Sequence, residues 1–139
     1  MIEVQIVAYE GEFAQHIRAV RDQVFIKEQG IDPALEFDGQ DSNTIHALVS
    51  VDGAYVGTGR MFDDGHIGRI AVLSDYRSMG IGSKIVNALT ERAIKQHYPR
   101  VYLGAQKQAI DFYARLGFKP FGDEFIEADI VHLAMEKLL

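Results

Sequence analysis

The segment from His66 to Lys84, HIGRIAVLSDYRSMGIGSK, constrains this chain most, because it predicts a strand, a turn and a helix in direct succession. An apolar run ends the strand at Val72, and the helix that begins at Ile81 has one apolar face. The residues on this face are Ile81, Ile85, Val86, Leu89, Ala93 and Ile94. Backbone N–H groups at a helix start have no intrahelical partner, and the helix dipole adds positive charge there. Glycines in the turn let a phosphate approach these groups closely. We therefore expect a pyrophosphate to bind where the helix begins.

One arginine and two glycines narrow the kind of nucleotide that this turn can bind. A dinucleotide-binding fingerprint needs a third glycine where this chain has Ile85, and a P-loop needs Gly-Lys followed by Ser or Thr. The spacing Arg-x-x-Gly-x-Gly, at Arg77, Gly80 and Gly82, instead resembles the coenzyme A loop of the GCN5-related N-acetyltransferases. An ordinary strand-to-helix turn with closely packed glycines is the alternative interpretation.

A second segment, from Gln106 to Phe118, QKQAIDFYARLGF, resembles the other coenzyme-binding motif of the same family. In that motif a helix carrying Phe-Tyr ends at Gly-Phe, and the family commonly has Asn where this chain has Gln106. Two motifs in the family's order are far more specific than either alone. On both motifs the chain is identified as a member of this acetyltransferase family.

The resemblance implies an α/β (α+β) fold, in which a mixed, largely antiparallel central sheet of six to seven strands is flanked by about four helices. At 139 residues, without a linker or an internal repeat, residues 1–139 are expected to form a single N-acetyltransferase domain. Strands four and five are expected to splay apart and leave a cleft. Periodicity predicts further strands over 2–8, 45–51, 54–62, 101–103, 118–121 and 130–137, helices over 12–27 and 109–116, and acidic loops over 31–44 and 123–129.

Composition excludes several classes of protein. A net charge of −6 argues against nucleic acid as a partner, and no apolar run approaches the roughly 18 residues that cross a bilayer. Without cysteine there is no disulfide, thiolate nucleophile or cysteine zinc site. The five histidines lack metal-ligand spacing, so no metal is expected. The first residues alternate like a strand and do not resemble a signal peptide, which favours a cytoplasmic location.

The resemblance implies acetyl-CoA (coenzyme A) as the co-substrate. In the family the pantetheine amides pair with the edge of the central strand, and a backbone N–H near Val72 would stabilise the oxyanion. The expected coenzyme-binding residues are Ile70, Ala71, Val72, Arg77, Ser78, Met79, Gly80, Ile81, Gly82, Ser83, Gln106, Ala109, Phe112 and Tyr113.

The implied mechanism is direct attack by an amine in a ternary complex, since no cysteine is present for a covalent relay. Tyr113 matches the family's tyrosine near the coenzyme sulfur. A phenol has a pKa of about 10 and a thiol of about 8.5, so we expect a hydrogen bond to the leaving thiolate rather than full proton transfer. Packing beside Phe112 is the alternative role. The catalytic base stays open among Glu28, Glu36, Asp38 and His132, and His132 is the first to test, although a strand histidine is often structural.

The segment from Arg21 to Gly30, RDQVFIKEQG, resembles the signature of the ElaA-like branch, in the region where the family builds its acceptor site. Core packing and helix capping are the alternative roles for this segment, and solvation is the alternative for the acidic loop over 31–44. That loop would otherwise form an acidic mouth that attracts an ammonium group. The expected substrate-binding residues are Phe25, Glu28, Gln29, Glu36 and Asp38.

These observations favour an acetyl-CoA-dependent N-acetyltransferase acting on a small-molecule or peptidic primary amine, with a homodimer as a family-level expectation. A non-catalytic acyl-CoA-binding or sensing module is the first alternative, and it could dispense with Tyr113. Binding of another nucleotide is the second, and it predicts that ATP or NAD, not acetyl-CoA, protects the protein from heat.

Overall fold

Seven strands and four α-helices follow one another in a computed structural model that describes all residues from Met1 to Leu139. The strands are β1 (Ile2–Ala8), β2 (Ile45–Val51), β3 (Ala54–Met61), β4 (Ile67–Val72), β5 (Arg100–Gln106), β6 (Lys119–Glu127) and β7 (Ile130–Leu138). The helices are α1 (Gly11–Arg21), α2 (Pro33–Glu36), α3 (Ile81–Lys95) and α4 (Ile110–Arg115), with a π-helix over Asp22–Glu28. None of the helices is both long enough and apolar enough to cross a membrane.

The strands form two antiparallel sheets, with the orders β1-β2-β3-β4 and β5-β7-β6. The sheets meet at one isolated parallel bridge between His66 and Tyr102, and beyond this bridge β4 and β5 have no ladder between them. The expected fold class and the splay of the fourth and fifth strands are therefore confirmed. The expected single sheet is divided in two at this splay, because the backbone pairing between the two strands stops after the bridge.

Gly65 fixes the point at which the two sheets touch. Its φ is +90°, and a Cβ atom there would lie 2.2 Å from the carbonyl oxygen of Arg100. The Gly65 carbonyl accepts a 3.0 Å hydrogen bond from the Tyr102 N–H, and the His66 ring stacks on Tyr102 with 4.6 Å between centroids. Only glycine combines this backbone conformation with so close an approach.

The predicted apolar face of α3 packs on the first sheet, and Ile81, Ile85 and Leu89 are among its fully buried residues. A Cβ atom on Gly59 of β3 would lie 2.7 Å from Cγ2 of Ile85, so the missing side chain lets the helix approach the strand. Ile94, predicted for the same face, is 55% exposed because it lies on the far side of the last turn.

One predicted helix is confirmed with a change of type, and one predicted loop was wrong. The chain is helical across the predicted range 12–27, but it changes to π geometry at Asp22, which buries Val24 and Phe25 side by side in a way that a 3.6-residue period does not anticipate. The loop predicted over 123–129 is mostly strand. The strand β6 is exposed along its whole length, so its sequence lacks the apolar alternation that predicts a strand. The turn that follows it is confined to Ala128 and Asp129, both at positive φ.

Candidate active site

A cavity of about 560 Å³ opens where β4 and β5 diverge. It is lined by residues that the sequence assigned separately to the coenzyme side, to the acceptor side and to catalysis. These are Phe25, Gln29, Glu36, Asp38, Ile70, Gln106, Ala109, Tyr113 and His132. Residues far apart in the sequence thus meet in one site, which has room for the reacting ends of two substrates.

The turn before α3 lies outside this cavity lining and is exposed from Arg77 to Gly80. Ser78 and Gly80 both adopt left-handed backbone conformations, with φ of 70° and 77°. No side chain caps the N-terminus of α3, so its first backbone N–H groups have no side-chain acceptor. The turn therefore presents the free donors that a pyrophosphate requires.

Gly82 brings the two coenzyme-binding motifs into contact. A Cβ atom on Gly82 would lie 3.2 Å from Cζ of Phe112, so the glycine allows the α4 aromatic ring to pack on the first turn of α3. The Phe112 ring in turn meets Tyr113 edge-on, with 5.0 Å between centroids. The position of Tyr113 is thus linked by packing to the turn that would hold the pyrophosphate.

Tyr113 is 9% exposed, lines the cavity and packs edge-on against Phe118. Burial raises the pKa of Tyr113 to about 12, because a phenolate would lose its solvation. The phenol is therefore protonated at neutral pH and can donate a hydrogen bond. Complete proton transfer to a thiolate is more strongly uphill than an unperturbed phenol would make it.

Arg77 and Glu28, predicted for the coenzyme loop and the acceptor side, contact each other directly. The Arg77 guanidinium donates two hydrogen bonds of 2.7 Å to the Glu28 carboxylate, and its Nε donates a third, of 3.0 Å, to the Val72 carbonyl. The Arg77 hydrogen bond lowers the pKa of Glu28. While this pair persists, Glu28 is a weak base and Arg77 is engaged.

Three further predicted site residues, Gln106, Gln29 and His132, make specific contacts. The Gln106 side-chain amide donates a 3.2 Å hydrogen bond to Oε1 of Gln29, which joins the coenzyme motif to the acceptor segment. On β7, His132 lies 2.8 Å from the Ile130 carbonyl through Nδ1 and stacks on Phe125 with 5.4 Å between centroids. Because a carbonyl only accepts hydrogen bonds, Nδ1 carries the proton and Nε2 of the neutral ring is free to accept one.

The acidic loop over 31–44 is exposed over most of its length, in line with the solvated alternative, but three of its carboxylates are not free. The loop contains α2, and Glu36, Asp38 and Asp41 pair with buried arginines. Glu36 is 3% exposed and accepts a 2.8 Å hydrogen bond from Arg21, whose side chain is fully buried. Arg21 also donates to Asp41 at 2.6 Å, and Arg60 holds Asp38 through two hydrogen bonds of 2.8 and 3.0 Å.

The two carboxylates that line the cavity, Asp38 and Glu36, have pKa values shifted in opposite directions. The Arg60 hydrogen bond keeps the pKa of Asp38 far below its usual range, so this carboxylate stays ionised and paired. Burial raises the pKa of Glu36, although Arg69 and Arg21 oppose the shift. Both carboxylates line the cavity and are paired with arginines, and their role in binding a substrate ammonium group stays a prediction.

Several residues that line the cavity were missed by the sequence analysis, among them Phe62, His66, Arg69 and Phe125. Arg69 could have been noticed, since it interrupts an otherwise apolar central strand. Burial lowers the pKa of His66, which is therefore neutral at pH 7. Nothing in the local sequence places the two phenylalanines at the cavity, because that depends on strand pairing.

The splay of β4 and β5 is the feature that the acetyltransferase resemblance predicted, and the comparisons with known proteins show the class. A family model described as "Acetyltransferase (GNAT) domain" matches residues 7–139, so the chain belongs to the GCN5-related N-acetyltransferase (GNAT) family. It is 35% identical over 136 residues to the uncharacterized N-acetyltransferase YjcF of Bacillus subtilis, across 95% of this chain and 97% of that protein.

Two crystal structures are similar to this chain over 99% of both chains. An acyl-CoA N-acyltransferase from Pseudomonas aeruginosa has a TM-score of 0.86 at 26% identity, and Escherichia coli ElaA has a TM-score of 0.83 at 28% identity. The recognition of an ElaA-like acetyltransferase is confirmed.

Proposed function

We propose that this chain transfers an acetyl group from acetyl-CoA to a primary amine by direct attack in a ternary complex. The observation that carries the proposal is the single cavity at the β4–β5 splay, which is lined by Tyr113 and by residues of both the coenzyme and the acceptor segments. The similarity to a solved acyl-CoA N-acyltransferase supports an acyl-CoA donor.

Coenzyme binding rests on two sets of backbone groups. The pyrophosphate is assigned to the free N–H groups at the start of α3, from Gly80 to Ser83. The pantetheine amides are assigned to the edge of β4 that faces away from β3, at Ile70, Ala71 and Val72. This edge has no strand partner after the His66–Tyr102 bridge.

In the reaction, the nitrogen of a neutral amine attacks the thioester carbonyl carbon, and the bond from that carbon to sulfur breaks as the amide forms. A β4 backbone N–H near Val72 stabilises the oxyanion, and the Tyr113 hydroxyl donates a hydrogen bond to the departing thiolate. The proton released from the amine goes to a base. Nε2 of His132 is the better candidate, because Glu28 is engaged by Arg77.

An acceptor screen with acetyl-CoA tests the proposal most broadly. A panel of primary amines is incubated with the protein and acetyl-CoA, and free thiol is measured together with the mass of the acetylated product. We expect at least one amine to release thiol in equal amounts with its N-acetyl product. Acetyl-CoA binding without amine-dependent release across the panel would instead indicate a sensing module.

Replacing Glu28 by Gln should strengthen acetyl-CoA binding about three-fold, because Arg77 then has no competing carboxylate. The magnitude follows from the roughly 0.2–1 kcal/mol that an exposed ion pair contributes. Calorimetry measures the affinity, and thiol release at saturating substrate should stay unchanged. The matched control is Glu12→Gln, an exposed position in the first turn of α1. Weaker binding would mean that Glu28 positions Arg77, and a lost rate with normal binding would assign Glu28 as the base.

A further inference from the structure

The acceptor side of the cavity contains a guanidinium group that the protein does not fully use, that of Arg69. Its Nε lies 3.2 Å from a Glu36 carboxylate oxygen, and its Nη2 lies 3.3 Å from one of Asp38. These distances are at or beyond the long end of the usual N–H···O range. Its Nη1 has no hydrogen-bond partner in the chain. Arg69 therefore retains two free donors on a group that lines the cavity.

The other two arginines of the network are more deeply buried and hold their carboxylates through shorter contacts, although the buried Nε of Arg60 has no partner. The Arg21 and Arg60 side chains are 0% and 5% exposed, and their shortest contacts to carboxylates are 2.6 and 2.8 Å. The Arg69 side chain, at 19% exposure, is the outermost of the three. A ligand that enters the cavity can therefore reach Arg69 without breaking the short ion pairs behind it.

The backbone explains why an arginine from a central strand lines the cavity. Arg69 has a φ of 54°, at the irregularity where the pairing of β3 with β4 shifts register between Thr58 and Arg60. Gly68, Arg69 and Ile70 consequently all line the cavity, whereas a regular strand directs successive side chains to opposite faces. A non-glycine residue in this conformation is strained, and such strain is concentrated at ligand sites.

The charges around Arg69 favour a zwitterionic ligand over a purely cationic one. The network pairs three guanidinium groups with three carboxylates, so its charges cancel. The other carboxylate that lines the cavity, Glu127, is exposed on β6 and has no ion pair. An acceptor that carries both an ammonium and a carboxylate group adds no net charge to such a site, and its carboxylate can accept hydrogen bonds from the free Nη1 of Arg69.

We infer that the acceptor is a small amine that also carries a carboxylate, which Arg69 binds, on an apolar body of aromatic size. The apolar body would contact Phe25, Phe62 and Phe125, which line the same cavity. This inference rests on the proposed function, since it names the class of amine that receives the acetyl group. Arg69 is thereby a specificity residue, and no proton transfer is assigned to it.

Three acceptors of matched shape test the inference: phenylalanine, its uncharged amide phenylalaninamide, and phenethylamine, which lacks the carboxyl group. We expect the wild-type protein to prefer phenylalanine over the other two at least ten-fold in kcat/KM. Arg69→Gln should lower kcat/KM for phenylalanine at least ten-fold, through KM, and leave that for phenethylamine unchanged. Arg69→Lys should recover part of the phenylalanine preference, because it keeps the charge.

A binding measurement keeps the inference separable from the proposed function. Phenylalanine should raise the melting temperature of the wild-type protein in the presence of coenzyme A. In Arg69→Gln this increase should be absent. Coenzyme A alone should still raise the melting temperature of the variant, which shows that the variant is folded. If phenylalanine binds in this way without any thiol release, the inference stands and the transferase proposal fails. Equal use of all three acceptors by the wild type, or equal losses for all three in both variants, would overturn the inference. Absence of both binding and turnover would overturn it as well.

Discussion

Tyr113→Phe should lower turnover about 100-fold and leave the affinity for acetyl-CoA unchanged. The substitution removes one hydroxyl from a buried position and keeps the ring that packs against Phe112 and Phe118. Removing a single preorganised donor from a desolvated site typically reduces kcat by about 10²–10³-fold. Thiol release at saturating substrates measures turnover, and calorimetry measures acetyl-CoA binding.

Tyr98→Phe is the matched control, because Tyr98 packs against the same core but does not line the cavity. Its turnover should equal that of the wild type.

The pKa of Tyr113, about 12, adds a second expectation, since the phenol stays protonated up to strongly alkaline pH. Turnover should therefore show no loss from Tyr113 ionisation near pH 10. If Tyr113→Phe turns over as fast as the wild type, the Tyr113 hydroxyl has no catalytic role.

Arg21→Met should reduce the free energy of unfolding by about 3–5 kcal/mol at pH 8, a large part of the 5–15 kcal/mol typical of a domain. Arg21 is fully buried and donates to Glu36 and Asp41, so its removal leaves two buried carboxylates without their shortest partner. Urea denaturation measures the loss. Arg18→Met is the control, since Arg18 is an exposed residue of the same helix that packs on the Phe37 ring at 4.0 Å, and it should lose no more than about 1 kcal/mol.

The deficit of Arg21→Met should depend on pH with a defined sign. Burial already raises the pKa of Glu36, and loss of Arg21 removes one of the groups that oppose this shift. A carboxyl group whose pKa is higher in the folded than in the unfolded state favours folding at low pH and loses that contribution as the pH rises through the folded pKa. Arg21→Met should therefore be closer to wild-type stability at pH 5 than at pH 8. An equal deficit at both pH values, or a deficit no larger than that of Arg18→Met, would contradict this account of the network.

The geometry of the segments proposed to bind the coenzyme was largely predictable, because it depends on local structure. The backbone conformations at Gly80 and Ser78 and the uncapped start of α3 all lie within one turn of the chain. Family resemblance added the α4 motif, and the contact between Gly82 and Phe112 brings these two segments together. Short-range patterns of glycine and apolar residues carry this kind of information.

The acceptor side was not predictable in the same way, because its chemistry depends on pairing between distant residues. Glu36 and Asp38 look like solvated acidic residues until β3 and α1 bring Arg60 and Arg21 to them. The Arg77–Glu28 pair joins residues 49 positions apart. The strained conformation of Arg69 arises from a register shift between strands, which no local pattern encodes. These contacts reverse the expected electrostatics, from an open acidic mouth to a neutral network with one available guanidinium.

The central claim is that acetyl-CoA binds with its pyrophosphate at the start of α3 and its pantetheine along β4. Backbone amide chemical shifts, followed by NMR during titration with acetyl-CoA, test it at the residues concerned. We expect the largest changes at Gly80 to Ser83 and at Ile70 to Val72, with saturation at one acetyl-CoA per chain. Saturable binding that leaves both groups of amides unshifted would contradict the account.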